Sequence, residues 1–159
     1  MLRGEVRLAR LAVNAAMDEL AAVTQSDLEA VSALLQGAGL PTSDLETARP
    51  EFLLVREGGR IIAAGALQRF GSIALVRSVV VAPERRGGAL GRRIVEELER
   101  AAREARVARL VLLTQTARDF FAHLGYRVIE RSEAPEDVQG TEEFRSLCPA
   151  SATCMVKII

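Results

Sequence analysis

A segment rich in glycine and arginine directly follows a run of three valines near the middle of the chain. It spans residues 79–93 and reads VVVAPERRGGALGRR. Glycines let an anion approach the backbone closely, and arginines add positive charge that a diphosphate would need. At the beginning of a helix the first N–H groups are unpaired and lie at the positive end of the helix dipole. The spacing therefore predicts a diphosphate-binding loop, the alternative being a flexible turn with solvated arginines.

Two common phosphate-binding patterns do not account for this loop. A dinucleotide-binding fingerprint needs G-x-G-x-x-G, and a Walker loop needs G-x-x-x-x-G-K-[ST]. Neither pattern occurs at residues 79–93. The segment instead resembles motif A of the GNAT acetyltransferases, [RQ]-x-x-G-x-[GA], with Arg86 in the first position and Gly91 in the last. Ala89 stands where the family usually has glycine, which predicts a weakened contact with the cofactor.

A second segment strengthens the resemblance. Residues 117–126 (ARDFFAHLGY) are similar to the family pattern A-x-x-F-Y-x-x-x-G-F. The two motifs together imply a GNAT-like α/β fold, with a mixed, mostly antiparallel sheet, a central splayed parallel pair and helices on both faces. They also imply acetyl-CoA as co-substrate. The cofactor-binding residues implied by the resemblance are Val79, Val80, Val81, Arg86, Gly87, Gly88, Ala89, Leu90, Gly91, Arg92, Thr114 and Phe121.

The catalytic groups are harder to assign from the sequence. The family tyrosine that protonates the leaving thiolate would fall at Phe121, which has no acidic proton, and residues 73–82 contain no carboxylate. Three hypotheses follow. Ser78 or an ordered water relays the proton, a residue of segment 132–148 supplies it, or the protein binds acyl-CoA without turnover.

The function predicted on this basis is N-acetylation of a small amine, amino-acid-like or toxic, and the alternative is a catalytically silent acyl-CoA-binding or regulatory module. Arg69 and Arg77 are candidates for binding an anionic substrate. Residues 144–155 resemble a subgroup associated with arsenic-resistance operons, which makes Cys148 a further substrate-binding candidate. Cys148 and Cys154 with the distant His123 do not complete a zinc site, so no metal is predicted.

The elements that position these residues are predicted from hydrophobic patterns. A short strand at residues 19–23 precedes a helix capped by Ser26 or Asp27. Strands at 52–55, 61–67 and 73–81 follow, with Gly65 at a bulge. Apolar residues at fourfold spacing then predict a long helix whose opposite face is ionic and solvated. On that face Glu96 is expected to pair with Arg100, and Glu99 with Arg103. A strand at 109–114 parallel to the third, a helix at 117–124 and two strands at 126–130 and 153–158 complete the sheet.

Composition bounds the class of protein. The chain has 159 residues, with 21 basic and 21 acidic side chains, so no net field attracts nucleic acid or an anionic membrane. We expect an uncertain N-terminal leader at residues 1–16 and one domain at 17–159. No apolar run is long enough to span a bilayer, and two cysteines without a secretory segment indicate the cytoplasm. Homodimers are common in the resembling family, so a homodimer is a hypothesis.

Overall fold

The structure is a computed structural model and describes residues 16–159. The predicted leader therefore lies outside the described residues, apart from Ala16. Seven strands lie in the described range, namely β1 (Ala16–Met17), β2 (Glu51–Glu57), β3 (Arg60–Phe70), β4 (Ile73–Val81), β5 (Arg109–Thr114), β6 (Arg127–Ile129) and β7 (Thr153–Ile158). They form one sheet in the order β1-β2-β3-β4-β5-β7-β6.

Five α-helices connect these strands in the same range. They are α1 (Gln25–Gly37), α2 (Leu45–Ala48), α3 (Leu90–Glu104), α4 (Arg118–His123) and α5 (Glu136–Gln139). A π-helical turn at Glu143–Leu147 follows α5. None of the described helices is long and apolar enough to cross a bilayer.

The pairing of the strands confirms the predicted fold class. β2, β3 and β4 pair antiparallel, β4 and β5 pair parallel, and β7 lies antiparallel between β5 and β6. The strands predicted at residues 73–81, 109–114 and 153–158 have the predicted bounds. The sheet is thus mostly antiparallel with one parallel pair at its centre.

Helices cover both faces of the sheet because side chains alternate along each strand. On β2, Phe52 and Leu54 pack in one cluster with Val31 and Leu35 of α1. Leu53 and Val55 point the other way and pack in a cluster with residues of α3, including Ile94 and Leu98. The predicted fourfold apolar stripe of α3 is therefore confirmed as its core face.

The predicted start of the fold was wrong in detail. The strand expected at residues 19–23 is replaced by β1 and an isolated bridge between Ala21 and Phe52. The cap of α1 is Thr24, whose hydroxyl accepts the Asp27 N–H, instead of Ser26 or Asp27. The register of such a short edge strand depends on its pairing with β2, which local sequence does not determine.

The expected solvated face of α3 also needed correction. Glu99 is 5% exposed, and its carboxylate accepts hydrogen bonds from Tyr126 Oη at 3.0 Å and Lys157 Nζ at 2.9 Å. Its predicted partner Arg103 lies at 4.0 Å. The predicted pairing of Glu96 with Arg100 is replaced by one between Glu96 and Arg92. Glu99 is therefore part of a buried polar network beneath α3.

A bulge in the β3–β4 ladder shapes the centre of the sheet. Ala66 pairs with Arg77 and Ala64 with Val80, so Gly65 alone faces the two residues Ser78 and Val79. This confirms the bulge predicted at Gly65. A Cβ on Gly65 would lie 2.6 Å from Ile94 Cγ2, so the close approach of α3 requires glycine here.

Candidate active site

The parallel strands β4 and β5 separate after a short stretch of pairing. Their register covers Ile73–Leu75 on β4 and Arg109–Val111 on β5. Beyond it, residues 76–81 and 112–114 line a cavity of about 920 Å³ that opens between the two strands. The splayed pair implied by the family resemblance is therefore present, and the cavity lies in the gap.

This gap gives a ligand access to strand edges. Residues 112–114 of β5 pair with β7 along one edge. Their other edge, which faces β4, has no strand partner among the described residues. Unpaired N–H and C=O groups along a strand edge can hydrogen-bond an extended ligand. Val79, Val80 and Val81, which the family resemblance implies as cofactor-binding residues, all line the cavity.

The glycine loop lies at one end of the cavity. Gly87 has φ +84°, a conformation that favours glycine, and a Cβ there would meet no atom within 4 Å. Gly87, Gly88 and Gly91 line the cavity, and α3 begins only at Leu90. Among the described residues, no acceptor is found for the backbone N–H groups of residues 87–92.

Ala89, which replaces the usual glycine, has φ −86°. An alanine adopts this conformation without strain, and its N–H stays available. The open space around Gly87, the free N–H groups and the helix N-terminus together fit a diphosphate. These residues are therefore compatible with the pyrophosphate of CoA.

The arginines of this segment differ in where they lie. Arg86 lines the cavity, and its Nε donates a hydrogen bond to the carbonyl of Val81 at 3.0 Å. Arg85 also lines the cavity and pairs with Glu57. Arg92, by contrast, is outside the cavity wall and binds Glu96 at 2.7 Å, while Leu90 packs against the core.

The middle of the cavity is lined by the two residues expected near the thioester, Thr114 and Phe121. Thr114 Oγ1 accepts the N–H of Ala117 at 3.0 Å, which fixes the turn into α4. Phe121 is buried and packs edge-on against Phe120 and Tyr126. No hydroxyl is therefore available at the position where the family has its proton-donating tyrosine.

Tyr126 does not supply that hydroxyl. It is the only tyrosine in the sequence, and its Oη donates to Glu99 in the buried network. Burial and the Glu99 charge raise its pKa far above the ordinary value for a phenol. Tyr126 is also absent from the cavity lining, and its bond to Glu99 connects the residue just before β6 to α3.

The other end of the cavity is enclosed by the 37–41 loop and by residues of β4 and the π-helical turn. Arg77 belongs to this wall, but its guanidinium is fully buried and forms two hydrogen bonds of 2.6 Å with Asp44. Burial alone would lower the pKa of Arg77, yet the bonds to Asp44 raise it overall. The charge of Arg77 is therefore neutralised by Asp44.

The remaining candidates from the sequence are divided between this wall and other places. Ser78 is 7% exposed, lines the cavity and has φ +57°, an unusual value for serine that the bulge imposes. Cys148 lines the cavity, and burial raises the pKa of its thiol to about 11. Cys154 is buried in a hydrophobic cluster. Arg69 lies away from the cavity and pairs with Glu51 at 2.5 Å.

Glu143 is a cavity residue that the sequence did not single out. It is 5% exposed and lies at the first position of the π-helical turn. Burial raises the pKa of its carboxyl to about 7, although the charge of Arg77 opposes the shift. Segment 132–148 was one expected source of a proton-transfer group, but its pattern did not indicate which acidic residue would be buried.

Among residues 16–159, no group of three His, Cys, Asp or Glu side chains is placed to hold a metal ion. The cavity combines a glycine loop whose backbone N–H groups could bind phosphates, the free strand edges and, at the far end, the buried carboxylate of Glu143 beside Arg77, whose charge Asp44 neutralises.

Comparison with known proteins gives a family match. The family model described as acetyltransferase (GNAT) domain matches residues 48–128 of this chain. An IAA acetyltransferase from Azospirillum brasilense is 38% identical over 76 residues, which are 45% of this chain and 50% of that protein. The chain thus spans about half the length of this curated relative.

Solved structures match over most of the described fold. N-acetylglutamate synthase from Neisseria gonorrhoeae, complexed with coenzyme A and L-arginine, has a TM-score of 0.75 at 20% identity, covering 92% of this chain and 33% of the other. Rv2747 from Mycobacterium tuberculosis, in complex with CoA and NLQ, has a TM-score of 0.71 at 23% identity, covering 89% and 99%. At these identities the likeness concerns the fold.

Proposed function

The chain belongs to the acetyltransferase (GNAT) family, and we propose that it transfers an acetyl group from acetyl-CoA to the amine of a small molecule. The observation that carries this proposal is the continuous cavity between β4 and β5. It joins the glycine loop at one end to a wall that contains Arg77, Ser78 and Glu143 at the other. A thioester and an amine could therefore meet inside it.

The donor end of the cavity supports a CoA thioester. The loop residues Gly87, Gly88 and Arg86 would hold the pyrophosphate, and the free edge of β4 would bind the pantetheine arm. Acetyl-CoA supplies the activated acyl group. The chain positions that group, and positioning alone contributes a large part of the rate of such a transfer.

The acceptor end supports a small amine. Its wall contains Ser78, Cys148 and the buried carboxylate of Glu143, while the neighbouring Arg77 is neutralised by Asp44. A cationic ammonium group would be favoured next to such a carboxylate. An amino-acid-like or toxic amine and a link to arsenic resistance stay predictions, as do the cytoplasmic location and the homodimer.

One observation favours a second candidate, a silent acyl-CoA-binding module. Phe121 occupies the position of the family's proton-donating tyrosine, and Tyr126 is engaged with Glu99. Such a protein would bind CoA without releasing the thiol.

A thiol-release assay separates the two candidates. Acetyl-CoA is incubated with the protein and a panel of small amines, and free CoA is measured together with the mass of the acetylated product. Reactions without amine give the hydrolysis background, matched alcohols test selectivity for nitrogen, and propionyl-CoA tests selectivity for acetyl. Transfer above background supports the enzyme. Saturable CoA binding without transfer to any amine would contradict it and support the silent module.

A further inference from the structure

The carboxylate of Glu143 is the acidic group that the structure places at the acceptor end of the cavity. Its side chain is 7% exposed, and the residue belongs to the cavity lining. Buried carboxylates normally accept hydrogen bonds from the protein, because an unpaired buried charge is costly. The partners of this carboxylate therefore indicate whether its role is structural.

Glu143 has a weak structural partner. The nearest cation is Arg77, whose Nε lies 3.7 Å from Glu143 Oε1, beyond hydrogen-bond distance. Arg77 directs its two terminal nitrogens to Asp44 at 2.6 Å. Within residues 16–159, no hydrogen bond to the Glu143 side chain is found. Its oxygens are thus available to a ligand in the cavity.

The backbone that carries Glu143 is unusual in a way that favours a functional role. Glu143–Leu147 forms a π-helical turn, closed by the Cys148 N–H donating to the Glu143 carbonyl at 3.0 Å. Such turns are rare and often occur at functional sites. Glu143 at the start of this turn and Cys148 directly after it both line the cavity.

We propose that Glu143 is the general base that removes a proton from the ammonium group of the acceptor. The inference rests on the proposed N-acetyltransferase function. One N–H proton of the ammonium moves to the Glu143 carboxylate, and the neutral nitrogen bonds to the acetyl carbon. The carbon–sulfur bond breaks, the second N–H proton ends on the sulfur of CoA, and Glu143 releases its proton to solvent.

The surroundings of Glu143 suit this role near neutral pH. Burial raises its pKa to about 7, the charge of Arg77 opposes the shift and Asp44 adds to it. The Cys148 thiol, whose own pKa is raised to about 11, is neutral at this pH. A general base works best when its pKa lies close to the working pH. Glu143 is therefore deprotonated, and active as a base, above about pH 7.

The test is the pH dependence of kcat/KM for Glu143→Gln, with Glu142→Gln as the matched control. Glu142 is the exposed neighbour and binds Ser146 outside the cavity. For the wild type we expect an acidic limb near pH 7 that does not move between acceptors whose amine pKa values differ. Glu143→Gln should lose that limb and about 100-fold or more in kcat, with unchanged CoA affinity, since general bases contribute about 10²–10⁴-fold. Glu142→Gln should behave like the wild type.

Two results would overturn the assignment while leaving the proposed function intact. One is a Glu143→Gln variant with wild-type kcat and an unchanged acidic limb. The other, which needs only the wild type, is a limb that follows the pKa of the acceptor amine. If Glu143→Gln does not fold, Glu143→Asp is measured instead, because it keeps the carboxylate. The acidic limb of its pH profile must then persist, with a shifted apparent pKa. A wild type that transfers to no amine overturns the proposed function and this inference together.

Discussion

Arg77 and Asp44 form a bidentate ion pair in which both side chains are buried. The two hydrogen bonds are each 2.6 Å long, and the side chains are 0% and 4% exposed. The residues are 33 positions apart, so the pair joins the segment before α2 to the central strand β4. It fixes the wall of the cavity next to Glu143 without leaving a net charge there.

Asp44→Ala should destabilise the protein strongly. It leaves the Arg77 guanidinium buried without its partner, which costs about 3–5 kcal/mol in comparable pairs. Urea denaturation measures the loss. The double variant Asp44→Leu with Arg77→Met should recover most of it, because no charge is then left buried. Equal stability of Asp44→Ala and the wild type would show that the ion pair does not stabilise the fold.

Gly87→Ala and Gly71→Ala form a matched pair for the phosphate loop. Both glycines have positive φ, +84° and +61°, and open space for a Cβ. Each alanine should cost about 1 kcal/mol of stability through backbone strain. Only Gly87→Ala should also weaken CoA binding, by about 10-fold, the equivalent of one hydrogen bond to a charged group. Equal CoA affinities by calorimetry would place the diphosphate elsewhere.

Arg86→Ala should reduce CoA affinity by about 10- to 100-fold, the range for one charge-assisted hydrogen bond. Arg86 lines the cavity, while Arg92 is exposed and binds Glu96 on the surface of α3. Arg92→Ala is therefore the control and should change the affinity little. Titration at two salt concentrations checks the electrostatic part. A larger loss of CoA affinity in Arg92→Ala than in Arg86→Ala would mean that the pyrophosphate lies over α3.

Tyr126→Phe should lower stability without changing catalysis. It removes the donor to buried Glu99, which costs about 1–3 kcal/mol, while Lys157 remains in place. Thermal denaturation and steady-state kinetics are measured on the same variant. A large fall in kcat with unchanged stability would instead identify Tyr126 as the proton donor.

The raised pKa of Glu143 makes the stability of the fold depend on pH. Its ordinary value is 4.5, and its value in the folded protein is about 7. Between these values the folded state binds more protons than the unfolded state, so stability falls as pH rises. The contribution of Glu143 should be about 3 kcal/mol, present at low pH and lost as the pH rises through about 7. Urea midpoints from pH 5 to 8 should show this slope in the wild type and lack it in Glu143→Gln.

The sequence was most informative where a pattern is local. Apolar runs were enough to predict β4 and β5, the helical crossover between them predicted their parallel pairing, and Gly65 was enough to predict the bulge. The glycine loop could be found because the phosphate cradle is made of consecutive residues.

What could not be predicted depends on contacts between distant parts of the chain. The burial of Glu99 is set by Tyr126 and Lys157, which lie 27 and 58 residues away. Arg77 was predicted as a candidate for binding an anionic substrate, because its partner Asp44 is not near it in sequence. Glu143 stands beside the exposed Glu142, and only the π-helical turn decides which carboxylate faces inward.

The short pairing of β4 with β5 has a mechanical consequence. The sheet consists of two halves, β1–β4 and β5–β7, whose ladder hydrogen bonds meet along Ile73–Leu75 and Arg109–Val111. The extended arm of a cofactor bound in the gap would hydrogen-bond to the free edges of β4 and β5, as an additional strand would, and would connect the two halves. Occupancy by CoA should therefore slow amide hydrogen exchange along the inner edges of both halves and raise the melting temperature of the whole domain.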